Sequence, residues 1–411
     1  MSRPLEDVRI LDLTRLLPGG FCTLLLADLG ADVIKVEDTG QGDYVRWAPP
    51  YYGTDEHTPL GTRSAIYLSL NRNKRSVRLD LKQEGGRQAL IKLAETADVL
   101  VESFRPGVLD KLGVGYDLLR QANPALLYCP ITGYGQDGPH RDRAGHDMNY
   151  LGLNGVLGLT GEAGGAPIQS GAQIADLGGG ALMAAVGILA GLQEARRSGE
   201  GQMVDISMTD GSLAWLAMEA GRYFGSGEVP QRGDIMLSGG IICYRPYEAA
   251  DGWVTCGALE PKFWSRFCTA VGREDLIEHQ FAKPGSGPHR EVEEIFRTKT
   301  REQWKAFNDE HDAMIEPVLD LDESLQSELV RGREMVISYR QPEFGEVRQL
   351  GFPIKLSRTP ASVERPAPAL GEHTAEVLKE AGYSAEEIAA LEERGAAKGP
   401  DATTKQEQFL A

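Results

Sequence analysis

The sequence predicts an α/β protein with a doubly wound, largely parallel sheet in its first half and a smaller α+β domain after it. Strand-like and helix-like segments alternate through the first half of the chain, which is the pattern of such sheets. Near Phe224 this alternation changes to a different mixture of strands and helices. The chain of 411 residues is also too long for one ordinary hydrophobic core, so two domains are expected.

The first predicted unit is a strand, a turn, a helix and a second strand. Residues 8–13 alternate as a strand, a Pro-Gly-Gly turn interrupts them, and residues 21–29 have helical periodicity that Gly30 ends. Residues 32–37 form the next strand. Because one helix separates the two strands, we expect them to be parallel.

The same alternation continues along the chain. Further strands are predicted at 76–81, 98–102, 126–129 and 202–207, and further helices at 86–97, 116–121 and 177–197. In the second half, strands are predicted near 241–247 and 253–257, an extended proline-rich segment at 354–369, and short helices at 374–381 and 385–394. The polar segment from Lys398 onward is predicted to be disordered.

Composition excludes several classes of function. Lys and Arg total 43 against 60 Asp and Glu, and the resulting net charge of -17 disfavours nucleic acid and anionic membranes as partners. The longest apolar run, 181–192, is too short to span a bilayer, and the first residues do not resemble a signal peptide. The five cysteines are scattered without CxxC spacing, so neither a metal site nor a disulfide framework is predicted, and we expect a cytoplasmic protein.

Three loops and turns could bind a phosphorylated ligand. The segment Asn71-Arg72-Asn73-Lys74-Arg75 offers three cations in a very acidic chain, although an ordinary basic turn would look the same. The segments after the strands at 98–102 and 126–129, which contain Arg105 and Tyr134, lie where open α/β sheets bind ligands. The early Pro-Gly-Gly turn does not match G-x-G-x-x-G, so a dinucleotide site is poorly supported.

Three side chains are candidates for catalysis. His146 lies in Gly145-His146-Asp147-Met148-Asn149-Tyr150, and Asp176 precedes three glycines that open a long predicted helix. Alone, His146 could be structural and Asp176 could cap that helix. Glu260 precedes a proline suited to a first helical turn, so it could be a cap, or it could orient a histidine and raise its basicity.

Taken together, the motifs resemble the family III CoA-transferase superfamily of the CaiB/BaiF type, which includes the α-methylacyl-CoA racemases. The resemblance covers about residues 5–394. It depends on motifs that occur in order: Leu11-Asp12-Leu13, Ala27-Asp28-Leu29-Gly30-Ala31-Asp32-Val33, Asn71-Arg72-Asn73-Lys74-Arg75-Ser76, Phe104-Arg105-Pro106-Gly107, Gly133-Tyr134-Gly135-Gln136 and Gly371-Glu372-His373-Thr374.

The resemblance implies a Rossmann-like large domain and a small α+β domain in an interlocked homodimer, with a hetero-oligomer containing a paralogue as the alternative. We place the first part of the large domain at 1–222, the small domain at 223–328, a segment returning to the large domain at 329–397 and the disordered tail at 398–411. The resemblance implies acyl-CoA as substrate, with coenzyme A as part of that substrate and no prosthetic group. The CoA-binding residues that it implies are Arg72, Lys74, Arg75, Arg105, Lys111, Tyr134 and Tyr150.

Two reactions fit the resemblance. In a racemase, His146 and Asp176 would be the two bases, Glu260 would be the acidic partner of His146, and backbone donors near 176–178 would face the thioester carbonyl. In a transferase, Asp176 would be the nucleophile and would form an aspartyl-CoA thioester. The long segment 42–68 and Ser238 resemble the transferase branch. We favour the racemase because three racemase-type groups coincide; a non-catalytic acyl-CoA-binding subunit is a third interpretation.

Overall fold

The computed structural model describes residues 3–53, 62–342 and 344–400. As far as residue 154 the elements are β1 (Arg9–Leu13), α1 (Leu17–Asp28), β2 (Asp32–Glu37), α2 (Ala65–Asn71), β3 (Lys74–Leu79), α3 (Glu84–Ala94), β4 (Val99–Glu102), α4 (Val108–Lys111), α5 (Tyr116–Ala122), β5 (Leu127–Thr132) and α6 (Asp147–Leu153). There follow α7 (Val156–Leu159), a π-helix (Ile174–Leu182), α8 (Met183–Ser198), β6 (Ile206–Ser207), α9 (Met208–Leu213) and α10 (Ala217–Ser226). Then come β7 (Tyr244–Ala249), β8 (Gly252–Gly257), α11 (Pro261–Ala270), α12 (Gly287–Phe296), α13 (Arg301–His311), β9 (Ile315–Pro317), α14 (Leu321–Gln326) and α15 (Glu328–Gly332). The last elements are β10 (Val336–Gln341), β11 (Gly345–Leu350), α16 (Thr374–Glu380), α17 (Ala385–Glu393) and β12 (Ala397–Lys398).

The chain divides into two units whose boundaries differ from the prediction. The large unit is Met1–Asn154, Ala172–Ala214 and Arg331–Ala411, and the small unit is Gly155–Gly171 and Trp215–Val330. The predicted boundary at 222/223 therefore lies inside the small unit, which also includes Gly155–Gly171 from the predicted large domain. Arg232 gives the physical reason, because its guanidinium donates to the carbonyls of Gly158 and Gly165 and holds that segment in the small unit.

The sheet of the large unit has seven strands in the order β12-β3-β2-β1-β4-β5-β6. The strands β1 to β6 pair in parallel, and β12 adds to the β3 edge in antiparallel orientation. The parallel part therefore has the order 3-2-1-4-5-6 of a doubly wound sheet, which reverses between β1 and β4. This confirms the predicted α/β class and its parallel sheet.

Both faces of this sheet are covered. Leu11 in the central strand pairs with Ile34 and Leu100, and all three side chains are fully buried. On one face the apolar side chains of α3, α5, α16 and α17 complete a single core with these strands. Continuous apolar strands buried on both faces are typical of parallel sheets.

The helical segment Ile174–Ser198 is long and apolar enough to cross a membrane by length and composition alone. Half of its most apolar window is buried inside the protein, and a helix of a protein core can have the same length and composition. The sequence placed one helix at 177–197, whereas the structure begins three residues earlier with a π-helix that continues into α8.

The small unit is built on the antiparallel sheet β7-β8-β9. Its core is aromatic: the ring of Phe296 stacks on Tyr247 with 4.4 Å between centroids and on Phe267 with 5.2 Å. Two fully buried tryptophans, Trp264 and Trp304, complete this cluster. The predicted smaller α+β domain is present in this form.

Two features of the C-terminal region differ from the sequence prediction. The hairpin β10-β11 was not predicted, although its six residue pairs run from Val336–Leu350 to Gln341–Gly345. The predicted disorder from Lys398 is wrong at its start, because Lys398 pairs with Arg78 at the sheet edge. The rest of the predicted tail, residues 401–411, and part of the segment 42–68 lie outside the described residues.

Candidate active site

The reversal of strand order between β1 and β4 opens a cavity at the carboxyl ends of the strands. Its walls come from the loops after β1, β4 and β5, and its volume is about 800 Å³. His146 and Asp176 both line it, so two of the three predicted catalytic residues are brought together. Arg105, Tyr134 and Tyr150 of the predicted binding set also line this cavity.

Asp176 lies in the first turn of the π-helix Ile174–Leu182. The glycine run behind it allows a very close helix contact with α9. A Cβ at Gly179 would lie 2.6 Å from the Met208 carbonyl oxygen, and a Cβ at Gly211 would lie 2.1 Å from the Gly179 carbonyl oxygen. The glycines therefore have a packing role, and this packing fixes the backbone from which Asp176 projects. π-Helical segments are frequent at functional sites.

Asp147 holds the start of the π-helix from the other side. It is buried at the beginning of α6, and its Oδ1 accepts the backbone N–H of Ala175 at 2.7 Å and that of Asp176 at 3.1 Å. Burial and the negative charge of Asp147 raise the pKa of Asp176 from 3.8 to about 6, against a lowering effect of His146. The Asp176 carboxylate is therefore a stronger base than an ordinary aspartate.

His146 is the residue immediately before α6, and its backbone N–H donates to Oδ1 of Asn149 at 3.0 Å. The residue is exposed, and it lines the cavity. Its backbone is thus fixed by the helix start, and its side chain lies at the cavity.

Two tyrosines form a close-packed wall of the cavity. The rings of Tyr134 and Tyr150 meet edge to face with centroids 5.2 Å apart, and the hydroxyl of Tyr150 donates to the Gly145 carbonyl. A Cβ at Gly133 would lie 2.4 Å from the Tyr150 ring, and a Cβ at Gly145 would lie 2.6 Å from it. Tyr150 is therefore a buried support of the loop before His146, with its ring edge at the cavity.

Four arginines line the same cavity, of which only Arg105 was in the predicted binding set. Arg15 pairs with Asp38 at 2.9 Å and Arg141 with Asp142 at 3.2 Å. Within the described part of the chain, Arg105 and Arg143 have no carboxylate partner. A second, largely apolar cavity of about 360 Å³ lies over the ends of β1, β2 and β3, and Arg15 and Phe104 line both cavities.

The basic segment Arg72 to Arg75 does not reach either cavity. Arg72 pairs with Asp28 at 2.7 Å, Lys74 with Asp12 at 3.2 Å and Arg75 with Asp32 at 2.6 Å.

All three cations are buried. A buried cation needs a carboxylate partner, and here the partner carboxylates lie on α1, β1 and β2. These cations therefore take part in the packing of the large unit, and none of them lines either cavity. Lys111, in α4, is exposed and lines neither cavity.

Glu260 belongs to the small unit. It is the exposed residue before α11, and its side chain does not cap that helix. Ser238, in a 3₁₀ turn of the same unit, lines a cavity of about 740 Å³ together with Arg245 and Trp253.

Comparison with known proteins identifies the family. The model of CoA-transferase family III matches residues 5–374. The chain belongs to CoA-transferase family III. It is 37% identical over 400 residues to an α-methylacyl-CoA racemase of Mus musculus, covering 94% of this chain and 96% of that protein.

A human succinyl-CoA:glutarate CoA-transferase is 34% identical over 387 residues, covering 92% of this chain and 86% of the relative. The solved structure of a CaiB/BaiF family protein from Brucella suis superposes with a TM-score of 0.80 at 31% identity, covering 93% of this chain and all of that one. This family III chain is thus similar to enzymes named for each of the two reactions predicted from its sequence.

Sequence reasoning missed three kinds of residue in this family III site. Asp147 stood inside the motif around His146 but received no role, although an acid next to a candidate base was a usable signal. Arg141 and Arg143 form a second basic cluster in an acidic chain and could have been found as Arg72 to Arg75 were. Arg15 had no such signal, because only the fold brings it to the cavity.

Within the described residues, no group of three or more His, Cys, Asp and Glu side chains is arranged to hold a metal ion.

Proposed function

We propose that this family III enzyme epimerises the α-carbon of 2-methylacyl-CoA thioesters by two-base proton transfer. The observation that carries the proposal is the placement of His146 and Asp176 on one cavity, with the pKa of Asp176 raised to about 6. A base with a pKa near the working pH is both deprotonated and strong enough to accept a proton in the transition state. One of the two residues removes the α-proton, and the other returns a proton to the opposite face.

The enolate formed between these steps needs hydrogen-bond donors at the thioester oxygen, each worth about 3–4 kcal/mol. The sequence suggested the backbone near 176–178. The amides of Ala175 and Asp176 already donate to Asp147, however, and that of Leu177 donates to the Gln173 carbonyl. We therefore assign the donor role to the N–H groups of Asp147 and Met148 at the start of α6, because those of Asn149 and Tyr150 already donate to the His146 carbonyl.

The two cavities share Arg15 and Phe104 in their walls, and their apolar and basic linings fit the chemistry of an acyl-CoA. We propose that the adenine binds in the apolar cavity of about 360 Å³ and that the thioester lies in the larger one beside Asp176. Arg105 and Arg143, which lack carboxylate partners among the described residues, would bind the phosphates, and Tyr134 would border the pantetheine. Coenzyme A is then part of the substrate, and no prosthetic group is invoked.

The alternative is a CoA-transferase in which the Asp176 carboxylate attacks the acyl-CoA carbonyl. One observation favours it: the backbone N–H of Asp176 is held by the Asp147 carboxylate at 3.1 Å, so the one residue that a transferase requires is fixed. A racemase needs both His146 and Asp176 oriented. A transferase needs only the aspartate.

The deciding measurement is solvent deuterium uptake at the α-carbon of a chiral 2-methylacyl-CoA. We expect rapid exchange in the wild type that is lost in both His146→Ala and Asp176→Ala. His279→Ala, which changes an exposed histidine of the small unit outside the cavities, is the matched control and should exchange normally. The transferase is correct if three results occur together: the wild type shows no exchange, it moves CoA from succinyl-CoA to a free acid, and only Asp176→Ala abolishes that transfer.

We also propose that the protein is a cytoplasmic homodimer. In the large unit, Leu182, Val186 and Leu189 expose 41%, 65% and 40% of their surface along one helical face. In the small unit, Phe224 and Leu329 expose 82% and 71%. Contiguous exposed apolar surface marks interaction sites. Light scattering after gel filtration should give twice the 44.7 kDa of one chain, and a monomer would refute the proposal.

A further inference from the structure

Asp147 is a buried carboxylate whose hydrogen bonds go to backbone amides of another helix. It is 8% exposed, and within the described residues it has no cationic partner. One oxygen, Oδ1, accepts the N–H groups of both Ala175 and Asp176. These belong to the first turn of the π-helix, whose N–H groups lack acceptors inside the helix. Asp147 thus caps that helix from a neighbouring element.

The contact links the two candidate bases directly. Asp147 follows His146 in sequence, and its carboxylate holds the backbone N–H of Asp176 at 3.1 Å. The loop that carries the imidazole and the helix turn that carries the carboxylate are therefore joined through one side chain. Misplacing a reacting group by about 1 Å can cost on the order of 10²-fold in rate, so such a link has kinetic consequences.

We propose that Asp147 is a positioning residue that fixes Asp176 against the loop of His146 and acts on the Asp176 carboxylate through its own negative charge. The proposal rests on the proposed function only in assigning the reaction to Asp176, which both the racemase and the transferase require. A neutral residue at this position could preserve the geometry but not the electrostatic effect.

Charge supports the second part of this role. After burial, the negative charge of Asp147 is the largest influence that raises the pKa of Asp176 to about 6. His146 opposes the rise, and Asp176 in turn raises the pKa of Tyr150 and of Tyr44. Removing the charge of Asp147 must therefore lower the pKa of Asp176.

The test compares Asp147→Asn with Asp147→Ala. The Asn variant keeps an oxygen that can accept both amides and loses the charge, so kcat should stay within about 10-fold of wild type. The acid limb of its pH profile should move below about pH 6, the wild-type value set by Asp176. The Ala variant also loses the hydrogen bonds, and its kcat should fall on the order of 10²-fold with little change in KM. Asp98→Asn is the control: Asp98 accepts the Arg9 amide at 2.7 Å and lines neither cavity, so neither rate nor profile should change.

A second readout does not depend on the reaction. Hydrogen exchange at the amides of Ala175 and Asp176 should be protected in wild type and in Asp147→Asn and should accelerate in Asp147→Ala. If the wild type catalyses neither exchange nor CoA transfer, the proposed function fails while this readout still tests the positioning. An unshifted acid limb in Asp147→Asn, or unchanged amide protection in Asp147→Ala, would overturn the proposal.

Discussion

Glu102 allows a quantitative prediction about stability and pH. It ends β4, is 3% exposed, and accepts the Phe104 amide at 2.6 Å and the Tyr128 hydroxyl at 3.2 Å. Burial raises its pKa from 4.5 to about 7, and the two hydrogen bonds lower it only in part. The folded protein therefore prefers Glu102 protonated, whereas the unfolded chain ionises it at its ordinary pKa.

The sign and size of the effect follow from linkage. A carboxyl group with a raised pKa in the folded state costs nothing well below pH 4.5, destabilises progressively as the pH rises to about 7, and has a constant effect above that. The difference between 4.5 and about 7 corresponds to roughly 3 kcal/mol, since each pH unit is about 1.4 kcal/mol. Between about pH 5.5 and about pH 8, the cost should grow by about 2 kcal/mol.

Glu102→Gln removes this titration while keeping an acceptor for the Phe104 amide. We expect the variant to gain stability relative to wild type by about 2 kcal/mol more at about pH 8 than at about pH 5.5. The measurement is urea unfolding of the full chain at both pH values, with Glu95→Gln on the exposed surface as the matched control. All other titrations are common to both proteins and cancel. A stability difference that does not change with pH would refute the reasoning.

Two further predictions concern packing and the cations. Gly145→Ala should destabilise the protein by about 1–3 kcal/mol through overpacking against Tyr150, and it should also lower turnover. Gly152→Ala, whose added Cβ has nothing within 4 Å, should change neither property. Differential scanning fluorimetry measures the stability of both variants, and the exchange assay measures their turnover. Arg72→Met should destabilise the protein by about 3–5 kcal/mol because it leaves Asp28 buried and unpaired, without a specific effect on KM. Arg105→Met should do the reverse, raising KM for the acyl-CoA with little change in unfolding, and equal KM effects of the two variants would contradict the assignment.

The sequence predicted the large sheet well because its strands are local apolar segments. The strand at 32–37 was predicted with the bounds that β2 has, and the helix at 116–121 is α5 but for its last residue. The hairpin β10-β11 was missed because apolar and polar residues do not alternate regularly in its residues 336–341, most of which are partly or fully exposed, so periodicity carries little information there. The π-helix could not be read from periodicity either, because its first turn is defined by the contacts of Asp147 and α9.

Charge was the least predictable property of the site. In the sequence, Arg72 to Arg75 and Arg141 to Arg143 are similar basic clusters. In the structure, the first is buried against carboxylates of α1, β1 and β2, and the second lies at the cavity. Whether a cation binds the protein or a ligand depends on which acids the fold brings beside it, and those acids are distant in sequence.

The precision of the candidate site comes from packed helices and not from its loops. Asp176 projects from a turn that is fixed on one side by the Gly179–Gly211 contact and on the other by the carboxylate of Asp147. Loops alone could bring His146 and Asp176 to one cavity, but a two-base reaction also needs the distance between them held constant through the proton transfers. Rigid elements provide this, and the same carboxylate that fixes the distance also raises the basicity of Asp176. Geometry and reactivity at this site are therefore coupled through one buried side chain, and a substitution that separates them, such as Asp147→Asn, shows which of the two limits the rate.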